Sequence, residues 1–272
     1  MAPGPDLSFL AQEVDSTTST NVVKTSTTTP LPAKVFSTGS VVLDPSQITT
    51  DFDELRFEAA AFGQLQVPGK DRVHPGSTNE ETATETAPLL SADLVSSPYN
   101  IPGHYLTLTS LNTHNLIFAK ALTGLKPVRS NYATAPYTQA LNFTTVLELV
   151  RGFVKDEGIE WKEQSFYVVI FRSKLRTGVD SDLLYQLDCE SHREACECGG
   201  LLKYWFGRVD EERRNLATCF WRSREDARLG GLGPWHAKAR AAGRQLYESI
   251  IFSTHRFTVL DGAEDFRFED WE

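Results

Sequence analysis

The stretch FYVVIFRSKL, residues 166–175, decides the fold because both of its alternating sets of side chains are apolar as far as Arg172. A strand of this kind lies in the middle of a sheet and is covered on both faces. Three further apolar runs follow at 201–207, 216–221 and 250–259, separated alternately by helical stretches and a tight turn. This order of strand, helix, strand, strand, helix, strand predicts an α+β protein with a ferredoxin-like βαββαβ unit.

The two helices of the unit are predicted on one face of the sheet. The first spans 181–198, with an apolar stripe that includes Leu183, Leu184, Leu187 and Cys198. The second helical region is broken by GGLGP at 230–234, after which a proline begins a new helix. The opposite face of the sheet then needs another cover. We expect either a second subunit or the N-terminal half of the chain to provide it.

Composition divides the chain into four parts. Residues 1–100 are poor in large apolar side chains and are predicted to be mostly disordered, with a candidate short strand at 34–43 and helix at 48–62. Residues 101–160 form an extension with a strand at 105–111 and an amphipathic helix at 142–157, and residues 161–262 form the βαββαβ domain. Residues 263–272 are an acidic tail with aromatic residues, which either docks on a sheet edge or a partner, or frays.

Charge and hydropathy exclude two classes of partner. The net charge of −9 argues against nucleic-acid binding, which relies on lysine and arginine. No apolar run approaches the roughly 20 residues of a membrane helix. The N-terminus lacks the features of a secretion signal, and three of the four cysteines crowd into ten residues, where disulfides would be awkward. We therefore expect reduced thiols and a cytoplasmic or nuclear location.

Three segments carry a resemblance to a known family. They are SHREACECGGLLKYWFG at 191–207, NLATCFWRSREDA at 215–227 and PWHAKARAAGRQLYE at 234–248. Together they resemble a fungal protein family of unassigned activity whose C-terminal part looks like a dimeric α+β barrel, the architecture of the antibiotic-biosynthesis-type monooxygenases. The resemblance covers about the last 110 residues, and it implies a homodimer whose sheets pack face to face. Proteins of this architecture catalyse very different reactions, so activity does not follow from it.

One branch of that superfamily degrades haem and uses a histidine late in the second helix. The late positions of this chain are Arg240 and Arg244, whereas His236 stands in the first turn. This departure argues against haem ligation. The sequence also has no phosphate-binding glycine loop, because the glycines at 230, 231 and 233 lie outside a parallel βαβ unit. We therefore expect no cofactor.

His236 is the candidate for proton transfer. A proline at the helix start places its imidazole in the first turn, near backbone N–H groups that favour the neutral form. Trp221, Trp235 and Tyr247 would supply aromatic surface for a flat organic ligand. Arg240, one turn after His236, would stabilise an oxyanion. The alternative is that His236 caps the helix and that the tryptophans belong to the core.

A second cluster contains metal-ligand residue types. Cys189, His192 and Cys196 have the spacing C-x2-H-x3-C, which places them on one helix face opposite the leucine stripe. They could supply three ligands of a zinc site. The spacing does not match the usual paired-cysteine motifs, and no fourth ligand is evident nearby. An exposed polar helix face is therefore the preferred interpretation, and no metal is expected.

Two hypotheses of function follow. In the first, the chain is a cofactor-independent oxygenase or related enzyme that acts on a small aromatic or polyketide-like molecule, with His236 as proton acceptor. In the second, it is a non-catalytic dimeric module for ligand binding or interaction, in which Trp221 and Trp235 fill the cleft. An open cavity beside His236 would favour the enzyme, and a filled one would favour the module.

Overall fold

The computed structural model describes residues 93–95, 99, 103–107 and 110–271. The disorder expected for most of residues 1–100, with the candidate strand and helix there, lies outside the described residues. Two short strands, β1 (Asp93–Val95) and β2 (Tyr105–Thr107), pair in an antiparallel hairpin. Residues 93–95 were expected to be mobile, and it is pairing with β2 that orders them.

The rest of the described chain contains both predicted helices of the unit and all four predicted strands, together with one further strand and four further helices. The strands are β3 (Gln164–Leu175), β4 (Leu201–Phe206), β5 (Arg214–Trp221), β6 (Tyr247–Val259) and β7 (Phe266–Asp270). The helices are α1 (Thr113–Leu122), α2 (Tyr137–Ala140), α3 (Phe143–Glu157), α4 (Ser181–Cys198), α5 (Arg224–Gly230) and α6 (Pro234–Leu246), and a 3-10 turn spans Asp261–Ala263. None of the helices described is long and apolar enough to cross a membrane.

The larger sheet has the strand order β4-β5-β3-β6-β7, and every neighbouring pair is antiparallel. β3 lies at the centre, paired with β5 on one side and with β6 on the other. This is the predicted ferredoxin-like topology, extended by one strand. The extra strand β7 belongs to the acidic tail, which therefore docks along the sheet edge rather than fraying.

One face of the sheet packs against α4 and α6. Tyr167, Val169 and Phe171 of β3 point to this side and share a buried cluster with Cys189 and Ala195 of α4. The two helices also contact each other through a smaller cluster that joins α4, α6 and the start of β6: Leu184, Leu187, Ala239, Leu246 and Tyr247. Both predicted helices therefore cover the same face, as the topology requires.

The other face of the sheet is covered by α1 and α3 of the same chain. The ring of Phe118 in α1 stacks on Phe166 of β3 at 4.0 Å between centroids and lies 5.9 Å from both Phe220 and Phe257. Val146 and Val150 of α3 are buried in the same cluster, as are further apolar residues of both helices. Of the two covers expected for this face, a second subunit or the N-terminal half of the chain, the N-terminal half is thus the one observed. The expected face-to-face packing with a second subunit needs correction, because this chain already buries that apolar surface.

Truncation of Phe118 should show that this cover holds the fold together. Phe118→Ala should reduce the free energy of unfolding by about 3–5 kcal/mol, the range for removing a fully buried phenylalanine ring. Val128→Ala, at a position that is 57% exposed, should change it by less than about 0.5 kcal/mol. Urea denaturation measures both. Equal effects of the two substitutions would contradict the role given to α1.

Candidate functional site

The start of α6 is held by a carboxylate from α4. Glu194 accepts hydrogen bonds from the backbone N–H groups of Trp235 (2.8 Å) and His236 (3.1 Å). It also pairs with Nδ1 of the His236 imidazole at 2.7 Å. The residue before the helix, Gly233, has no side chain to cap these N–H groups. Glu194 therefore caps α6 from outside the helix and fixes the orientation of His236.

The electrostatics of this pair differ from the sequence prediction. Burial raises the pKa of Glu194, but the hydrogen bonds from the His236 imidazole and from the backbone N–H groups of Trp235 and His236 outweigh it, so that the pKa lies below its usual value. Glu194 is thus an anion. It accepts hydrogen bonds from the backbone N–H groups that were expected to favour the neutral form of the imidazole. A carboxylate at Nδ1 selects the tautomer with the proton on Nδ1 and leaves Nε2 as the basic nitrogen.

A groove of about 380 Å³ opens to solvent beside this pair. Leu229, Trp235 and the stem of Arg193 give it apolar walls, and Glu194 and Glu197 contribute carboxylates. The Nζ atom of Lys238 lies 3.6 Å from the centre of the Trp235 ring, which orients the indole. His236 lies behind Glu194, with a side chain that is only 3% exposed. The groove is open, but the imidazole is not in its wall.

The other predicted site residues lie at different depths. Arg240 donates a hydrogen bond to the carbonyl oxygen of Gly231 at 3.0 Å and so bridges α6 to the loop in front of it. Trp221 is buried under α5, where a Cβ on Gly230 would come within 2.4 Å of the indole. Tyr247 is buried beyond the far end of α6. The structure brings Trp235, His236 and Arg240 together around one loop, and it places Trp221 and Tyr247 in the core.

A second polar cluster is buried on α4, one and a half turns before Glu194. The carboxylate of Asp188 accepts hydrogen bonds from the hydroxyl groups of Tyr99 and Tyr204, the latter at 2.6 Å. Burial and the nearby Asp188 charge raise the pKa of both tyrosines well above its usual value. Both phenols therefore stay protonated and donate to the buried carboxyl group.

The two histidines of this cluster face each other. Nδ1 of His104 lies 2.8 Å from Nδ1 of His192, and the rings are nearly parallel. Cys189 Sγ is 3.7 Å from His104 Nε2, and Cys196 Sγ is 3.6 Å from His192 Nδ1. Cys189, His192 and Cys196 were expected on an exposed helix face. That prediction is wrong, because Cys189 and His192 are buried beside Tyr99 and His104, and Cys196 is half-buried.

Two predictions for α4 concern a zinc site and an apolar stripe. No three His, Cys, Asp or Glu side chains in the described part of the chain are arranged to hold a metal ion. Cys198, predicted on the buried stripe, is exposed. All four cysteines are free thiols, as expected. Cys198 is the last residue of α4, and Gly199, with φ of 74°, follows it.

Glu194, Asp188 and His104 could not be predicted from the sequence pattern. Their partners lie between 16 and 89 positions away in the chain, so no local spacing connects them. One signal was available. A helix that starts with Gly233 and Pro234 has no capping side chain of its own, and its buried N–H groups must find an acceptor elsewhere.

The fit of Glu194 against Gly233 yields a test by substitution. A Cβ at position 233 would lie 2.1 Å from Glu194 Oε2, so Gly233→Ala must displace the carboxylate and should cost about 1–3 kcal/mol of unfolding free energy. Gly152→Ala, inside α3 with no atom within 4 Å of the new Cβ, is the matched control and should stabilise by about 0.5–1 kcal/mol. Chemical denaturation compares them, and a neutral Gly233→Ala would show that the carboxylate is not seated there.

The histidine pair makes stability depend on pH. Burial lowers the pKa of His104 to about 4 and that of His192 well below its usual value. The unfolded chain takes up these protons below a pH of about 6.5 while the folded chain does not, so stability is complete above that pH and falls as the pH drops towards 4. In urea titrations between these limits, His104→Gln should lose less stability than the unmodified chain. Identical slopes would contradict the assignment.

Comparison with known proteins gives the chain a family. A family model described as PB2B2.08-like matches residues 95–270. UPF0643 protein PB2B2.08 of Schizosaccharomyces pombe is 35% identical over 181 residues, which cover 64% of this chain and 82% of the relative.

Similar solved structures each cover about a third of the chain. Rv0793 from Mycobacterium tuberculosis has 20% identity and a TM-score of 0.29, covering 33% of this chain and 91% of its own. SnoaB, a cofactor-independent oxygenase from Streptomyces nogalater, has 12% identity and a TM-score of 0.28, covering 34% and 90%. A dimeric protein of unknown function with a ferredoxin-like fold from Bacteroides fragilis has 18% identity and a TM-score of 0.25, covering 33% and 93%. With more than half of its length matched by the family model, the chain belongs to the PB2B2.08-like family.

Proposed function

We propose that the chain is a small-molecule enzyme in which Glu194 and His236 transfer a proton at the groove in front of α6. The observation that carries this proposal is the 2.7 Å contact between His236 Nδ1 and the Glu194 carboxylate. A carboxylate that orients an imidazole through Nδ1 is the arrangement that makes Nε2 an effective general base.

The substrate is proposed to be an aromatic or polyketide-like molecule. Trp235 and Leu229 offer it a flat apolar wall, and the volume of about 380 Å³ suits a ligand of few rings. Trp221 and Tyr247, buried in the core, support the helices around the groove rather than line it. Arg240 acts in this proposal as a positioning residue, because it fixes the carbonyl of Gly231 at the groove loop. Because the imidazole is only 3% exposed and does not line the groove, the proposal requires this loop to rearrange before Nε2 contacts substrate.

The reaction proposed is oxygenation without a cofactor. His236 accepts a proton from a CH2 group that lies between aryl or carbonyl groups, and the resulting carbanion gives its electrons to dioxygen. Conversion of CH2 to C=O retains one oxygen atom, and the second leaves as water. The protein has to supply a base and a site that excludes bulk water, and Glu194 with His236 is its candidate for the base.

The second candidate function is a non-catalytic binding module. It is favoured by a specific observation: Trp221 fills the space under Gly230, and the imidazole of His236 is almost completely buried. In this version the groove binds a flat ligand on Trp235, and Glu194 and His236 only join α4 to α6. We further propose a cytoplasmic or nuclear location, which the four free thiols support.

A panel of phenols, naphthols and anthrones separates the two functions. Binding is read from quenching of Trp235 fluorescence, with Trp235→Phe to assign the signal, and turnover is read from oxygen uptake. For the enzyme we expect uptake with at least one compound, and His236→Gln should reduce kcat about 100-fold or more while binding persists. Val128→Ala is the control and should leave both readings unchanged.

The possible outcomes decide between the proposals. Binding without oxygen uptake favours the module, and uptake that is unaffected in His236→Gln removes this residue from the mechanism. Neither binding nor uptake with any compound would contradict both versions of the groove.

A further inference from the structure

Ser253, His255 and Asp270 form a polar cluster on the side of the sheet that packs against α1 and α3. His255 Nε2 lies 2.8 Å from Ser253 Oγ, and His255 Nδ1 lies 3.0 Å from Asp270 Oδ1. Ser253 and His255 are two residues apart on β6, so their side chains share a face. Asp270 stands opposite His255 on β7, and opposed residues also share a face. A hydroxyl, an imidazole and a carboxylate therefore follow one another in the order of a Ser–His–Asp triad.

Packing fixes the ring of His255. The ring of Phe268 stacks on it at 4.5 Å between centroids, and Phe268 in turn stacks on Tyr137 at 5.2 Å. The side chain of His255 is only 13% exposed. Burial lowers the pKa of His255 below its usual value, although the nearby Asp270 carboxylate raises it. The imidazole is thus neutral at pH 7 and can accept a proton at Nε2.

Asp270 is placed to orient the imidazole. The separation of 3.0 Å is short enough for a hydrogen bond, although the contact lacks the alignment of one. The side chain of Asp270 is 92% exposed, so a rotation about its own bonds can align it. A carboxylate at this nitrogen selects the tautomer with the proton on Nδ1 and leaves Nε2 as the basic atom.

The edge of β6 gives access to the hydroxyl group. In the described chain, β7 pairs with β6 as far as His255, and no strand pairs with residues 248–253 on this side. Ser253 is half-buried, and its neighbour on the same face, Ile251, is 64% exposed. The hydroxyl group therefore borders an open apolar surface at the end of β7.

A backbone N–H group is available next to Ser253. The N–H group of Trp271 donates to the carbonyl oxygen of Thr254 at 3.0 Å, so the backbone groups of Thr254 point away from β3. Since these groups alternate along a strand, those of Phe252 also point outward, where no strand of the described chain pairs with them. A donor at this place can stabilise the negative charge that develops on a carbonyl oxygen during attack by Ser253.

We propose that Ser253 and His255 form a second catalytic site, separate from the groove at α6, which hydrolyses carboxylic esters with an apolar acyl group. Ser253 Oγ attacks the carbonyl carbon while its proton passes to His255 Nε2. The bond to the alcohol oxygen then breaks, and the alcohol leaves with that proton. Water attacks the acyl-serine by the same proton route and releases the carboxylic acid. Ile251 contacts the acyl group, and Asp270 is a positioning residue because it acts through His255.

A fluorophosphonate probe tests whether Ser253 is activated. A serine beside a general base attacks phosphorus and displaces fluoride, so mass spectrometry of the full-length chain should find the phosphonate on the peptide that contains Ser253. His255→Gln should abolish this labelling. Ser249→Ala is the matched control, because Ser249 is an exposed serine of the same strand, and it should leave the labelling unchanged. A chain without label on Ser253, or equal labelling in His255→Gln, would overturn the proposal.

Hydrolysis of p-nitrophenyl butyrate measures turnover at the same site. Ser253→Ala and His255→Gln should each reduce kcat about 100-fold or more, and Ser249→Ala should not change it. Turnover that persists in Ser253→Ala would contradict the assignment of the nucleophile. Neither labelling nor ester hydrolysis depends on oxygen uptake or on ligand binding at the groove. Failure of this proposal is therefore distinguishable from failure of the proposed function.

The pH profile tests the positioning role of Asp270. The neighbours of the His255 ring on β3 and β7 include Val168 and Phe268, which carry no charge, so the charge beside the ring is that of Asp270. Because this carboxylate raises the pKa of His255, Asp270→Asn should move the acidic limb of the kcat/KM profile to lower pH. Glu269→Gln, on the other face of β7, is the control and should not move it. An unshifted profile in Asp270→Asn would overturn the role of this carboxylate.

Discussion

Both faces of β3 must be kept from water, and the rest of the structure follows from this constraint. Val168 and Ile170 point to one side, and Val169 and Phe171 point to the other. A half-buried sheet would leave one of these sets exposed, which is costly at about 25 cal/mol for each Å² of apolar surface. The side chains of a strand alternate strictly, so no shift of register could move both sets to one side. Two separate covers are the only solution, and they account for four of the six α-helices described.

The choice of the second cover determines how the chain can associate. In this protein α1 and α3 place Phe118, Val146 and Val150 where the resemblance predicted another subunit. An intramolecular cover needs no partner concentration to form, so stability does not depend on assembly in the way it does for an obligate dimer. Association through that face is therefore closed in this chain, and β7 also pairs with part of the outer edge of β6.

Most of the fold could be predicted from the sequence because the period and length of the apolar runs are enough to identify the main strands and helices. The β3 run and the apolar period of α4 are strong local signals, and both elements were found at or near their predicted bounds. The helix α1 was not predicted because its apolar residues, such as Ile117 and Phe118, form only a short run. They are recognisable as core residues only when the sheet on which they pack is known. The site was predicted only in part. His236 could be identified from its place in the first turn, but its partner Glu194 stands 42 positions earlier, and packing of α4 on α6 brings them together.

The two buried carboxylates of α4 also explain why the functional proposal rests on one of them. Asp188 accepts hydrogen bonds from two tyrosine hydroxyls that remain protonated, and it is only 1% exposed in a cluster closed by Tyr99. Its role is to hold Tyr99 and Tyr204 against the helix. Glu194 has an imidazole on one side and an open groove on the other. A buried charge that serves structure alone can be closed off completely, whereas one that serves chemistry must remain next to a route for substrate. Because of this difference, we expect activity at Glu194 and His236 and not at Asp188 and its tyrosines.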